Sequence, residues 1–432
     1  DTEVILRLYL KEGIKFISKL KGMFAFAIWD KRSNKLFLVR DRFGIKPLYK
    51  FYNNKKLFFG SEAKSIFALG VERKINFNSV KNYIRNGLLE DNQTTFFENI
   101  NAIRPGTYEE YSSDGVKIID YWNLNENLSN KFEKIFDLNE LKQKVKTKIN
   151  SSVKEHLISD VNLGVALSSG LDSQILLNIL RENNVKAIKT FTYGFHEIAY
   201  DESNLSSFKD FDVNIEQYIS KISNKELIPK LHEAIKYFDA PLGGLGTLSF
   251  YNLMKIAKKE NTSVILTGEG ADEVFVGYKY YFYFYLKELI ESKNYELIKS
   301  EVKNWNISNN DNLEINNLND IINKFTNNNI KAPDGSDLND NDLEGDYLKE
   351  NQLSKKHFME KNLSFYDELR KKIVKDLFIH KIPKLLMFQD RSSMANGVET
   401  RVPFLDHELI EGIFSVNSNN LIKNGNLKFL LR

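Results

Sequence analysis

The chain has 432 residues, is 42% hydrophobic, and carries Lys+Arg 61 against Asp+Glu 58 with no cysteine. At roughly 100 to 200 residues per domain that length suggests two or three domains. A net charge of only +3 excludes the global basic field of a nucleic-acid or anionic-membrane binder and leaves a small-molecule substrate. Cysteine's absence removes disulfides, thiolate metal sites and a cysteine nucleophile together, and no apolar run of about 18 residues or cleavable leader is present, which predicts a soluble, cytoplasmic protein.

Asp1 opens the sequence and Arg432 closes it inside a helical pattern, so the chain reads as a fragment of a longer one. From Gly22, GMFAFAIWDKRSNKLFLVRD alternates apolar and polar residues around the turn-rich KRSN, which predicts a β-hairpin. A second hairpin is predicted from residues 47–52 and 56–59 around Asn53–Asn54. Arg40, Asp41 and Arg42 are read as organisers of this sheet. Pro105–Gly106 marks a turn, and the polar stretch 123–130 reads as a linker, placing a domain boundary near residue 125. The first domain is thus residues 1–125 and the second 126–432.

Beyond the boundary the pattern becomes helix and strand in alternation, the rhythm of a parallel sheet. A helix is predicted over 138–157, a strand over 163–167, a helix over 173–183, and strands at 187–193 and 263–267. An amphipathic stretch, 247–259, precedes the last strand. Residues 304–351 are crowded with Asn and Asp and read as a poorly packed insertion. Tyr280 to Tyr285, YYFYFY, lacks a basic stripe around it and reads as a packed helix rather than a base-stacking platform. The scattered His196, His232 and His407 give no zinc spacing, Glu399 and Arg401 suit an ion pair, and Asp406 suits a helix cap.

The stretch carrying most chemistry is Ser168-Ser169-Gly170-Leu171-Asp172-Ser173, between the 163–167 strand and the following helix. Backbone N–H groups converge at such a turn, and the helix N-terminus adds about half a unit of positive charge, making an anion site. Ser168 and Ser173 offer hydroxyls, and Gly170 allows close approach of a phosphate. Asp172 would repel a phosphate unless a cation lies between them, which implies Mg²⁺. The same six residues also suit an ordinary strand-to-helix turn with Ser and Asp as caps. A second loop, Thr267-Gly268-Glu269-Gly270-Ala271-Asp272-Glu273, again follows a short apolar strand. In an open parallel sheet both strand ends face one crevice, so Asp172 and Asp272 can share a magnesium pyrophosphate.

SSGLDS followed by TGEGADE resembles the pyrophosphate-loop ATP pyrophosphatases, specifically the glutamine-hydrolysing asparagine synthetase family. GMFAFAIWDKRSNKLFLVRDRFGIKPLYK and GSEAKSI resemble that family's glutaminase half, and QDRSSMANGVETRVPFLDHELIE its synthetase signature. The resemblance implies a partial, N-terminal-nucleophile (class II glutamine amidotransferase) domain. That domain is an antiparallel, β-rich α+β sandwich, and an α/β parallel-sheet ATP pyrophosphatase domain, adenine nucleotide α-hydrolase-like, follows it. It further implies adenine against main chain near Ala166 and Tyr193, with ATP phosphates on Ser168, Ser169, Gly170, Asp172, Ser173, Thr267, Gly268 and Glu269. Magnesium would be held by Asp172 and Asp272, aspartate would be adenylated, and Glu269 would position or deprotonate ammonia. Asp390 resembles a further active-site acid, and Asp1 the acid that holds the glutamine amino group. A homodimer is implied as well.

Four departures accompany the resemblance. Ser169 stands where the family usually has Gly. The glutaminase cysteine, an arginine and an Asn-Gly-Glu motif are absent, so this chain by itself is expected not to hydrolyse glutamine. LKFLLR resembles the segment just upstream of a lysine-bearing loop, so a lysine able to neutralise adenylation charge is expected to be missing. Gly244 lies where many asparagine synthetases have Asp, which keeps other acceptors open: a sugar acid, a peptide or a β-lactam precursor. A non-catalytic nucleotide-binding relative is a third reading, opposed by the presence of Asp172, Glu269 and Asp272 together.

Overall fold

Period-two alternation of apolar residues builds the first part of the chain, and strand-helix alternation the second. The computed structural model describes residues 1–53, 56–89, 93–124, 137–183, 187–194, 214–318 and 367–432. These fall into two units, 1–124 and 137–432. The boundary expected near residue 125 lies outside the described residues, as does His196.

The first unit starts with α1 (Thr2–Glu12) and a 3-10 turn over Gly13–Lys19. Both expected hairpins are present, β1 (Ala25–Asp30) with β2 (Lys35–Arg40) and β3 (Tyr49–Asn53) with β4 (Lys56–Gly60). Asn54, half of the second expected turn, lies outside the described residues. Short helices α2 (Ala63–Phe67) and α3 (Phe77–Asn86) precede β5 (Ile100–Ala102), β6 (Thr107–Ser112) and β7 (Gly115–Asp120). Two antiparallel sheets result, ordered β1-β2-β6-β7 and β4-β3-β5.

Strand β2 is buried on both faces. Phe37 and Val39 pack with Tyr9, Phe16 and Ile17, while Leu38 packs with Leu48, Ile103 and Tyr111, as successive side chains of a strand must. Glu109 on β6 is fully buried and accepts Lys50 Nζ of β3 at 2.6 Å and the Tyr111 hydroxyl at 2.5 Å. A buried carboxylate is tolerable because it is paired and hydrogen-bonded, and this one ties the two sheets together. Arg40, Asp41 and Arg42 play the organising role expected of them. Arg40 donates to the carbonyls of Gly44, Lys46 and Ile103, and Arg42 to those of Ser18 and Leu20. Asp41 accepts backbone N–H groups from Phe43, Ile45 and Lys46.

In the second unit, α4 (Leu138–His156) leads to β8 (Leu163–Ala166), α5 (Leu171–Glu182), β9 (Ala187–Gly194) and β10 (Asn214–Lys221). Then come α6 (Asn224–Ile235), α7 (Leu245–Lys259), β11 (Val264–Leu266), α8 (Ala271–Val274), α9 (Tyr280–Glu291) and α10 (Tyr295–Asn309). After residues 319–366, α11 (Glu368–Lys375) passes into a π-helical turn, Asp376–His380, and α12 (Ile382–Met394). β12 (Glu399–Arg401), α13 (His407–Phe414) and α14 (Ser418–Leu421) complete it. The Asn-rich stretch begins later than position 304: Asn304 to Asn309 finish α10, held there by the fully buried Trp305. Its portion beyond Leu318 lies outside the described residues. Glu399 and Arg401 are paired at 2.6 Å, and Asp406 caps α13 through Leu409 N–H at 2.8 Å, both as expected.

The parallel sheet runs β10-β9-β8-β11-β12. From β8 the chain steps to β9 and β10 on one side, and only later returns to β11 on the other. The strand order therefore switches between β8 and β11, and in such sheets ligands bind beyond the carboxyl ends of the strands at that switch. Phe191, Ile265, Leu253, Met254, Ala257 and Val398 form the core beneath it. Gly164 makes the close strand packing possible, since a Cβ there would stand 2.7 Å from the Phe191 ring and 3.0 Å from Ile265. Gly164→Val is expected to cost roughly 1–3 kcal/mol through overpacking. Urea denaturation of the variant checks this, and an unchanged midpoint would contradict the packing described.

Candidate active site

The first loop follows β8. Helix α5 begins at Leu171, two residues before the expected start, so Asp172 and Ser173 both sit in its first turn. The serine hydroxyls are engaged within the loop. Ser168 N–H donates to Ser173 Oγ at 3.0 Å, Gly170 N–H donates to Ser168 Oγ at 3.1 Å, and Ser173 Oγ stands 3.0 Å from the Ser168 carbonyl. Gln174 Nε2 adds a bond to that carbonyl at 3.0 Å. The loop is thereby knitted into a fixed turn, with Ser169 and Gly170 exposed at its tip. Gly170 has an ordinary φ of −69°, so its contribution is close approach, since a Cβ there would stand 3.1 Å from Ser168 Oγ, not unusual backbone.

The second loop follows β11 and touches the first. A Cβ on Gly268 would lie 3.0 Å from Asp172 Cβ, so only glycine lets the two turns come this close. Gly270, at φ 88°, starts the short α8 that carries Asp272 and Glu273. Thr267 is buried, and its hydroxyl accepts Gln389 Nε2 of α12 at 2.7 Å.

Asp172 and Asp272 converge as the two-loop reading requires, but the group between them is Lys428. Its Nζ lies 2.6 and 2.8 Å from the two Asp172 oxygens and 2.6 Å from Asp272. This corrects the expectation that a lysine able to neutralise charge here is missing. Gly277 makes room for the meeting, since a Cβ there would collide with both Asp272 Oδ1 and Lys428 Cε. Burial alone would pull the lysine's proton affinity down, but Asp172 and Asp272 outweigh it and raise it above the ordinary value, keeping it an ammonium. Burial pushes the Asp172 carboxyl up, against the pull of Lys428.

Glu269 is partly open to the crevice yet largely enclosed by protein. Burial, then the charges of Asp272 and Asp172, push its carboxyl up to about 7. Glu273, one residue past Asp272, is almost fully buried and pushed up to about 8, mainly by burial; it accepts the Tyr278 hydroxyl at 2.8 Å. Proton affinities near neutrality in a crevice are what general acid-base chemistry uses.

Ala166 and Tyr193 lie at the ends of adjacent strands β8 and β9, both packed against the core cluster. Asp390 is buried on α12, next to the Gln389 that reaches Thr267. Asp1, in the first unit, is exposed at the start of α1 and makes no capping bond with its side chain. Lys428, Glu273, Tyr278 and Gln389 escaped the sequence reading. The signal for Lys428 was weak, one lysine in KFLLR, 256 positions from its partner in the chain.

Asp172 and Asp272 are the acids that would hold a divalent cation, and in this structure Lys428 Nζ lies between them. Among the described residues no cluster of three or more His, Asp or Glu side chains is arranged to hold a metal. Magnesium, which retains water and phosphate oxygens, fits this two-acid arrangement only together with a phosphate ligand.

The family described as Asparagine synthase matches residues 144–432, and the Glutamine amidotransferase domain matches residues 1–122. Asparagine synthetase (glutamine-hydrolyzing) 1 of Bacillus subtilis is 29% identical across 100% of this chain and 68% of its own length. Asparagine synthetase (glutamine-hydrolyzing) 2 of the same organism is 30% identical over 96% of this chain and 54% of its own. Amidase chry2 of Gibberella zeae is 29% identical over 64% of this chain and 43% of its own. The match therefore spans between 43% and 68% of the length of these relatives.

The buried acids also set a pH dependence of stability. Glu269 and Glu273 bind protons more tightly folded than unfolded, where the ordinary value is 4.5. Their stabilising contribution is complete below about pH 4.5 and is lost as pH rises through about 7 to 8. Glu273→Gln, which cannot ionise, is expected to match the parent near pH 5 and exceed it above pH 8 by on the order of 2–4 kcal/mol. Chemical denaturation at both pH values measures this; a difference that does not vary with pH would refute it.

Proposed function

The chain belongs to the asparagine synthase family and carries a glutamine amidotransferase domain ahead of that match, and from this premise we propose that it makes asparagine from aspartate at the expense of ATP. Glutamine supplies the ammonia in the complete protein. The observation that supports this reading is the convergence of Asp172, Lys428 and Asp272 at the switch point, beside a Glu269 carboxyl poised near 7. We assign the domain division to the neighbourhood of residue 125. A homodimeric, cytoplasmic enzyme belongs to the same proposal.

An amide does not form from a carboxylate and ammonia in water without activation. The aspartate side-chain carboxylate attacks the α-phosphorus of ATP; an acyl–O–P bond forms as the bond to the β-phosphate oxygen breaks, and pyrophosphate leaves. Lys428 neutralises charge growing on that leaving group, and the N–H groups that open α5 face the same crevice. Bound at Asp172 and Asp272, magnesium would supply Lewis-acid screening of the phosphate oxygens. Ammonia then attacks the acyl carbon of β-aspartyl-AMP, AMP departs with the C–O electron pair, and the surplus proton on nitrogen passes to Glu269. Main chain at Ala166 and Tyr193 takes the adenine; Ser168, Ser169, Gly170, Ser173, Thr267 and Gly268 frame the phosphates, and Asp390 completes the acids.

A second reading changes only the acceptor. Gly243 and Gly244 bring no charged side chain to the start of α7, and one fungal relative is named an amidase, which favours trying a sugar acid, peptide or β-lactam precursor if aspartate fails.

Pyrophosphate release with ATP, magnesium and ammonium, compared with and without aspartate, tests the proposal. Aspartate-dependent release with matching asparagine is expected. ATP binding without cleavage to AMP would identify a non-catalytic relative instead. Asp172→Asn is expected to lower release by about 100-fold or more, the scale for losing a charge-stabilising group, with the fold intact; full activity in that variant would remove Asp172 from the chemistry. Glu269 must be ionised to accept a proton, so the rate per unbound ammonia is expected to rise with pH and level off above about 7. A profile flat from pH 5.5 to 8 would exclude Glu269 as the base.

A further inference from the structure

Lys428 reaches the acids from an unusual piece of backbone. Residues Lys423 to Asn426 form a tight reversal: Lys423 and Asn426 bridge each other, and the two residues between, Asn424 and Gly425, have φ of 54° and 67°. Two successive left-handed residues of type Asn-Gly define a two-residue hairpin turn. Lys428 follows three residues after Gly425 and is itself left-handed, with φ 53°, a conformation costly for a side chain with a Cβ. Something must hold the segment there.

The holder is a carboxylate on another element. Glu301 of α10, 2% exposed, accepts Asn424 N–H on Oε1 at 3.0 Å and Gly425 N–H on Oε2 at 2.7 Å. Both oxygens are committed to consecutive N–H groups, the charge-assisted pairing that fixes direction as well as distance. The turn also lies flat on the helix. A Cβ on Gly425 would stand 2.2 Å from Trp305 N, and Trp305 is stacked on Phe282 of α9 with ring centroids 4.0 Å apart. The platform under the turn is therefore rigid, and Glu301 is the polar group that fixes the turn to it.

We propose that Glu301 is a positioning residue for Lys428: it fixes the Asn424–Gly425 turn so that the lysine ammonium lies between Asp172 and Asp272. Its importance for turnover rests on the adenylation reading above, but the positioning itself does not. Loss of Glu301 takes the acceptor from the buried Gly425 N–H and the partly buried Asn424 N–H, which outweighs the loss of a hydrogen bond exposed to water.

Amine-selective acetylation with an N-hydroxysuccinimide ester, followed by peptide mass spectrometry, reads the lysine directly without ATP. In the parent protein Lys428 is expected to label slowly relative to the exposed Lys299 of α10, the helix that carries Glu301. Glu301→Gln, which presents one NH₂ donor to two N–H donors, is expected to raise labelling of Lys428 by about tenfold while Lys299 and the partly buried Lys287 change little. Glu301→Asp, one methylene short, is expected to fall between, and serves if the glutamine variant does not fold. Unchanged labelling of Lys428 in a folded variant, or a rise shared by Lys287, would overturn the proposal. A second readout is a cycle on pyrophosphate release: Glu301→Gln should lower the rate in the parent background and have little further effect in Lys428→Ala. Fully additive losses would also overturn it. If labelling rises as expected while pyrophosphate release is untouched, the positioning role stands and the adenylation role of Lys428 fails.

Discussion

The second unit depends on one electrostatic constraint, the joining of Asp172 and Asp272 by the single ammonium of Lys428. Two carboxylates brought together in a crevice repel by several kcal/mol at the effective dielectric of a partly buried site, roughly 4 kcal/mol at 4 Å. The lysine converts that repulsion into attraction. Each participant comes from a different part of the chain: the first turn of α5, the short α8, and the segment after the Asn-Gly turn. Closing three distant segments on one charge is what makes the two loops a site rather than two strand ends.

Small residues make this closure possible. Gly268 lets the second loop rest on Asp172, and Gly277 leaves the volume in which Asp272 and Lys428 meet. Gly164 lets β8 run tightly between β9 and β11. None of the three has a positive φ, so the requirement is close approach, which any Cβ would prevent. Stability and chemistry share residues here: a methyl group at Gly277 would collide with the Asp272 carboxylate and with the lysine that balances it.

Much of this was legible in the sequence. Hairpins, the αβ rhythm and both loops follow from periodicity and from glycine placement, because these are local signals. The start of α5 was misjudged by two residues because Leu171 and Asp172 carry no break of pattern, although the helix N-terminus needs only the turn knitted by Ser168 and Ser173. What stayed hidden was non-local. Lys428 is one of many lysines in the chain, and nothing near it in sequence announces Asp172. Glu301 stands in a segment whose Asn-rich continuation masked it, yet its helix is packed through Trp305. Such residues are specified by tertiary meeting points, and single-sequence patterns carry no information about those.

The aromatic run after the second loop shows how a packing element also carries polarity. Tyr281, Phe282 and Tyr285 of α9 are fully buried, as a core helix requires. Their hydroxyl-bearing neighbours are nevertheless tied to acids: Tyr278 donates to Glu273 at 2.8 Å, and Tyr280 and Tyr281 both donate to Asp376, at 2.8 and 2.9 Å. Asp376 opens the π-helical turn and also accepts Lys372 Nζ at 2.8 Å. Lys381 lies over the Tyr278 ring at 4.2 Å, and Tyr278 and Tyr280 stack at 5.3 Å. Burial takes water away from a tyrosine hydroxyl, so Tyr278, Tyr280 and Tyr281 rely on these acids as much as the acids rely on a donor. The consequence reaches the site through the chain itself. Glu273 is the residue after Asp272, so a ring network that holds Glu273 also holds α8, and with it the carboxylate that Lys428 must find.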